Sequence, residues 1–105
     1  MPRAKINVIV WSQSQPPNHR SISAQLNSEG LDYYQWSNRP GDIYSPHRHS
    51  FDKIIYVVEG TIAFGIPEEN RTIELSAGHR LELPTSVLHS AIVGSHGVVC
   101  YESHL

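Results

Sequence analysis

The stretch from Gly41 to Gly60 reads GDIYSPHRHSFDKIIYVVEG, and its reading decides the fold. It opens on a turn residue, runs through alternating and β-branched side chains, and ends on Glu59-Gly60 before a second apolar run begins. His47 and His49 are two apart. In a strand, residues two apart point to the same face, so both imidazoles project side by side. A metal needs lone pairs converging at about 2 Å, and a His-x-His pair on one strand supplies two of them. Alone the pair is weak, because a shuffled chain with seven histidines shows some His-x-His about four times in ten.

Outward from this stretch the same texture continues. Short apolar runs, many alternating with polar residues, cover Ile6–Trp11, Ser21–Leu26, Tyr33–Ser37, Lys53–Glu59, Thr61–Ile66, Arg71–Leu75, Arg80–Leu83, Val87–Val93 and Val98–Glu102. Turn residues separate them, including Pro16-Pro17-Asn18, Asn27–Gly30, Asn38–Gly41, Pro67–Asn70 and Gly94–Gly97. Such spacing predicts an all-β domain, a small antiparallel barrel or sandwich with almost no helix. Glu59-Gly60, strong strand on both sides, predicts a tight hairpin. The polar first thirty residues predict an edge strand, or strands exchanged in a homodimer.

Composition bounds the rest. At 105 residues there is room for one domain, 1–105, burying roughly 65% of its unfolded surface. A formal net charge of −2 argues against nucleic acid and against a polybasic membrane anchor. No apolar run is long enough to span a bilayer, so a cytoplasmic protein is expected. Cys100 is the single cysteine and reads as a small buried hydrophobe.

The frame around the histidines is more specific than the pair. In motif 1 (41–60), Gly41 precedes His47 by six and Gly60 follows His49 by eleven. In motif 2 (78–93), Gly78 is followed by Pro84, Ser86, His89 and Val93. The two motifs resemble those of the cupin superfamily, with 17 residues (Thr61–Ala77) between them. The resemblance implies a jelly-roll-like barrel, or double-stranded β-helix, whose cavity holds one divalent transition metal (iron, zinc, nickel, copper or manganese). It implies His47, His49 and His89 as the ligands. The family's glutamate position is Lys53, whose ammonium has no lone pair to give. Asp52 is the neighbouring carboxylate, but its strand parity is opposite.

A strand-entry lysine is expected to carry its ammonium to solvent. Should Lys53 face the cavity instead, the site becomes electropositive, suits a small anionic ligand, and gives Lys53 an acid–base role. Tyr44 is a second catalytic candidate, its hydroxyl at the cavity mouth. Phe51, Tyr56 and Phe64 are candidate substrate-binding walls. Arg39 and Arg80 flank motif turns, where solvated surface positions are expected, as for His19, His79, His96 and His104. The resemblance leaves three uses open: a dioxygenase or isomerase, a non-catalytic binding or sensing module, and a metal-free barrel whose lysine fills the ion's place.

Overall fold

The computed structural model describes residues 5–105. In chain order the elements are β1 (Asn7–Ile9), α1 (His19–Ser28), β2 (Tyr34–Asn38), β3 (Ile43–His47), β4 (Lys53–Ile66), β5 (Arg71–Ser76), β6 (Arg80–Leu83) and β7 (His89–His104). The seven strands form one antiparallel sheet in the order β1-β6-β4-β7-β2, with β3 also on β7 and β5 also on β4. β4 and β7 therefore change neighbours midway. Lys53–Tyr56 pair with β6 and Thr61–Ile66 with β5, while β7 pairs first with β3 and then with β2. The sheet curls on itself as a jelly-roll barrel, and Ile55, Val57, Ile62, Phe64, Leu75, Leu81, Val93 and Cys100 fill the space it encloses. No helix among the described residues is long and apolar enough to cross a membrane.

The expected hairpin at Glu59-Gly60 is not there. The register shifts between Val57 and Glu59, and again between Gly60 and Ile62, but the strand runs on. Gly60 sits opposite Val98 with φ at +78°, and a Cβ there would run into the Gly97 carbonyl oxygen. The glycine marks a bulge where the paired strands bend, so two sequence runs fuse into one strand. The same holds for Val87–Val93 and Val98–Glu102, which merge through Gly94–Gly97 into β7. The tight connection lies instead at Pro67–Asn70, where Asn70 takes a left-handed conformation between β4 and β5.

Ser21–Leu26 is helical, not a strand. The Asn18 side chain accepts from the Ser21 amide and the Ser21 hydroxyl accepts from the Asn18 amide, both at 2.9 Å, which is a capping box. Ile22 and Leu26, four apart, fall on one helical face and are fully buried against Ile54, Tyr56 and Val58 of β4. Burial of each contributes about 2 kcal/mol. In six residues, alternation and a single i,i+4 pair look alike, and the cap decides between them. β1 pairs with β6 of its own chain as an edge strand; residues 1–4 of the N-terminal segment lie outside the described residues.

Parity along β4 follows. Lys53, Ile55 and Val57 face the interior, whereas Ile54, Tyr56 and Val58 face α1. Arg80 is buried, not solvated: Glu29 holds it through two hydrogen bonds (2.7 and 3.0 Å), Glu82 through one (2.9 Å), and its guanidinium lies over the Tyr56 ring.

Candidate metal centre

β3 and β7 bring the first two histidines together. His47 and His89 are cross-strand partners, as are Tyr44 and Ala91, so three steps on β3 match two on β7. The extra residue is a bulge at Ser45-Pro46, where proline gives no ladder hydrogen bond. Its effect is to turn Tyr44 and His47 to the same side despite their odd spacing, and both line one cavity of about 320 Å³. His49 lies past the end of β3. The loop before β7 fixes it, since its carbonyl accepts from the Ser86 amide (2.8 Å) and the Thr85 hydroxyl (3.2 Å). Ser86 holds φ at +67°, the conformation for which the motif uses glycine.

The imidazole rings of His47 and His89 are 4.3 Å apart, those of His47 and His49 4.7 Å, and those of His49 and His89 5.3 Å, centre to centre. One ligand atom from each of the three lies within 4.8 Å of the others. Nδ1 of His47 is 2.7 Å from the Ser45 carbonyl, and Nδ1 of His89 is 2.9 Å from the Val87 carbonyl. A carbonyl only accepts, so in both rings Nδ1 carries the proton and Nε2 keeps a free lone pair. His89 is 2% exposed and its Nε2 has no hydrogen-bond partner. Burial pushes the His89 pKa down to about 4, and burial with the nearby Lys53 and His47 lowers that of His49. Three imidazoles with ligand atoms this close together are a donor set that a divalent transition metal binds, so the residues fit the group.

Lys53 does not carry its ammonium to the outer surface. Its backbone belongs to the interior row of β4, and following the chain outward would take the side chain through the sheet, so it lies in the cavity wall at 7% exposure. Nor does it fill the ion's place, because its ammonium sits 3.9 Å from a carboxylate oxygen of Glu102 and leaves His89 Nε2 without a partner. Burial lowers the Lys53 pKa and Glu102 partly restores it. Glu102 is the charged cavity-lining residue that motif reading misses. It comes from β7, paired with Ile55 on one side and Tyr34 on the other, and is 6% exposed. Its oxygens take the Trp36 indole N–H (3.1 Å), the Tyr34 hydroxyl (2.8 Å) and His104 Nε2 (2.6 Å). Burial pushes the Glu102 pKa up, but Lys53, His104 and Tyr34 outweigh it and the net shift is downward. Tyr34 in turn is raised to about 12 by burial and by its bond to Glu102. The signal lay in alternation, since Cys100, Glu102 and His104 share parity with a buried core position.

The other candidates divide. Phe64 lines the cavity, with Trp36, Ile55 and Ile62 beside it. Tyr44 lines it too, its hydroxyl donating to the Asn38 side chain at 2.6 Å. Phe51 is not part of the wall: it stacks on His49 at 5.0 Å and packs against His104 at 4.1 Å. Tyr56 faces α1, on the other side of the sheet, because its parity is opposite to that of Lys53. The Asp52 carboxylate accepts from the Thr85 amide (2.7 Å) and stands outside the donor cluster. His104, expected as a solvated residue, is tied to Glu102, and His79 accepts the Ser76 amide at 2.9 Å.

Comparison with known proteins places this geometry. No family model matches the chain, and no curated protein matches its sequence. Solved structures do match. An RmlC-like cupin from Shewanella frigidimarina superposes with a TM-score of 0.61 at 23% identity, over 70% of this chain and 64% of that one. KdgF from Halomonas gives 0.57 at 21% identity, over 93% and 76%. The DMSP lyase DddQ from Ruegeria pomeroyi gives 0.63 at 19% identity, over 70% and 37%. The match thus spans less than two thirds of the Shewanella protein's length. These similarities show the fold.

Proposed function

We propose that this cupin-fold chain binds one divalent transition metal through His47, His49 and His89, and that the ion presents a small oxygen-rich molecule to the cavity walls. The observation that carries this reading is Nε2 of His89, a lone pair buried from water and unpartnered, beside the ligand atoms of His47 and His49. An unsatisfied buried acceptor costs roughly 1–3 kcal/mol, and a metal removes that cost. When bound, the ion supplies Lewis acidity toward an oxygen of the ligand. The chain does the rest. The Ser45 and Val87 carbonyls hold two rings in the ligating tautomer, and the loop at Thr85 and Ser86 holds the third strand of contact through His49. Trp36, Ile55, Ile62 and Phe64 give the remaining space an apolar lining, and Tyr44 lines the same cavity.

Enzymes of this fold, such as the lyase and the Bacillus subtilis oxalate decarboxylase among the structural neighbours, lend support at the level of fold. The test is elemental analysis of untagged protein purified without added metal or chelator, beside a His47→Ala/His89→Ala variant. Near one equivalent of metal in the parent and little in the variant is the expected result. Iron would direct assays to dioxygenase chemistry, and zinc or nickel to isomerase or binding roles. A parent that takes up no metal even on reconstitution overturns the reading.

A further inference from the structure

Lys53 differs from every other charged group in this cavity. An ammonium carries three N–H donors and needs acceptors for them when taken out of water. Among the described residues Lys53 makes no hydrogen bond through Nζ, and its one ionic neighbour, Glu102, is at 3.9 Å, beyond hydrogen-bond reach. Glu102 is in the opposite condition, its oxygens already taking Trp36, Tyr34 and His104. The carboxylate is satisfied by the protein and the ammonium is not. Lys53 and Glu102 both line the cavity, whose remaining lining is the histidines, aromatic rings and aliphatic side chains.

We propose that Lys53 is a second anchor for the ligand, receiving an anionic oxygen through its unfilled N–H donors, so that the cavity takes a small monoanion with an apolar body. The proposal rests on the metal reading for the ligand's other end, but not for this one. Charge sets the class. Lys53 and Glu102 nearly cancel, and the ion leaves an excess of positive charge that one anion reduces. Shape agrees: about 320 Å³ lies at the lower end of the range for small-molecule sites, and Trp36, Tyr44 and Phe64 offer flat apolar faces. The motif's glutamate would close the ion's shell with a negative charge. With Lys53 at that position, the wall offers N–H donors where the motif would offer a metal ligand.

Benzoate is the probe, with benzamide as its neutral isostere. Trp36 is one of two tryptophans, so in a Trp11→Phe background its fluorescence reports the cavity directly. Benzoate should bind saturably to zinc-loaded protein and more weakly to protein stripped of metal, and benzamide should bind to neither. Lys53→Met should weaken benzoate at least tenfold in both states while zinc content stays at the parent's level. Because Lys53→Met leaves Glu102 buried without its counter-ion, Lys53→Met/Glu102→Gln is the second variant, and it should show the same loss. Benzoate binding unchanged in both variants, benzamide binding as well as benzoate, or no benzoate binding by the parent each overturns the proposal. A parent without zinc defeats the metal reading alone, and the stripped-protein arm then decides this one.

Discussion

His47 and His89 face each other across β3 and β7, their rings 4.3 Å apart, and each gives its Nδ1 proton to the carbonyl two residues before it in the chain. The two ligand positions are thus built alike, each ring held by the backbone carbonyl two residues before it. Replacing either ring removes a lone pair without disturbing the other's support. His47→Ala alone should therefore lower metal occupancy sharply, by the 10-fold or more expected on losing one of three ligands, while the melting temperature of the metal-free protein changes little. Metal titration followed beside a thermal melt checks both halves.

The buried state of His89 makes the metal-free protein acid-sensitive. Its folded pKa, about 4, lies below the unfolded value near 6.5, so the unfolded chain binds the extra proton first. Stability from this group is fully present above pH 6.5 and falls as the pH drops from there to 4, by up to about 3 kcal/mol. Urea unfolding at pH 7 and pH 4.5 measures it. A His89→Gln variant, which has no such proton to gain, should show a shallower decline, and equal slopes would refute the assignment.

Glu102 organises the wall opposite the histidines. Glu102→Leu would strip an acceptor from the Tyr34 hydroxyl and the Trp36 indole and leave Lys53 buried without a counter-charge. The expected loss is about 3–5 kcal/mol in denaturant unfolding, the range for breaking a buried pair from one side. Glu102→Gln, which keeps an acceptor oxygen, should lose less than Glu102→Leu.

α1 covers the outer face of the sheet, away from the cavity. Leu26→Ala should cost about 2–5 kcal/mol, yet metal content and ligand binding per folded molecule should not change, since Leu26 packs on Ile54, Tyr56 and Val58 and touches nothing in the site. Tyr56→Phe should likewise leave ligand binding intact. Reduced metal per folded molecule in either variant would show that the two faces of β4 are coupled.

What the sequence revealed depended on how local the signal was. Glycine spacing and His-x-His located His47, His49 and His89 because the motif records their mutual geometry. Glu102 escaped because its partner Lys53 lies 49 positions earlier, and no local pattern links a glutamate near one end of β7 to the first residue of β4. Tyr56 shows the reach of alternation: it puts Tyr56 opposite Lys53, so the two do not share a cavity. Ser21–Leu26 failed through shortness, since Ile22 and Leu26 fit either period and only the Asn18–Ser21 cap separates them. The glycine at position 60 suggests freedom to turn, whereas its use is the close approach of β7.

That last distinction is open to experiment. Gly41 and Gly60 hold nearly the same left-handed φ, +77° and +78°. A Cβ on Gly41 meets nothing within 4 Å, while one on Gly60 collides with the Gly97 backbone. Gly41→Ala therefore carries the conformational penalty alone, about 1–2 kcal/mol. Gly60→Ala adds a clash with main-chain atoms that no side-chain rotation relieves, at the point where both long strands bend, so its cost should exceed that of Gly41→Ala by at least 2 kcal/mol. Parallel urea titrations of the two variants decide the matter. Similar losses would mean that Gly60 serves its backbone angle only and that β7 yields at Gly97, and the bend would then be a flexible joint between the halves of the barrel. A much larger loss for Gly60→Ala would make it a fixed corner, holding the Lys53–Glu102 wall and the three histidines, which stand on opposite sides of that bend, at one separation.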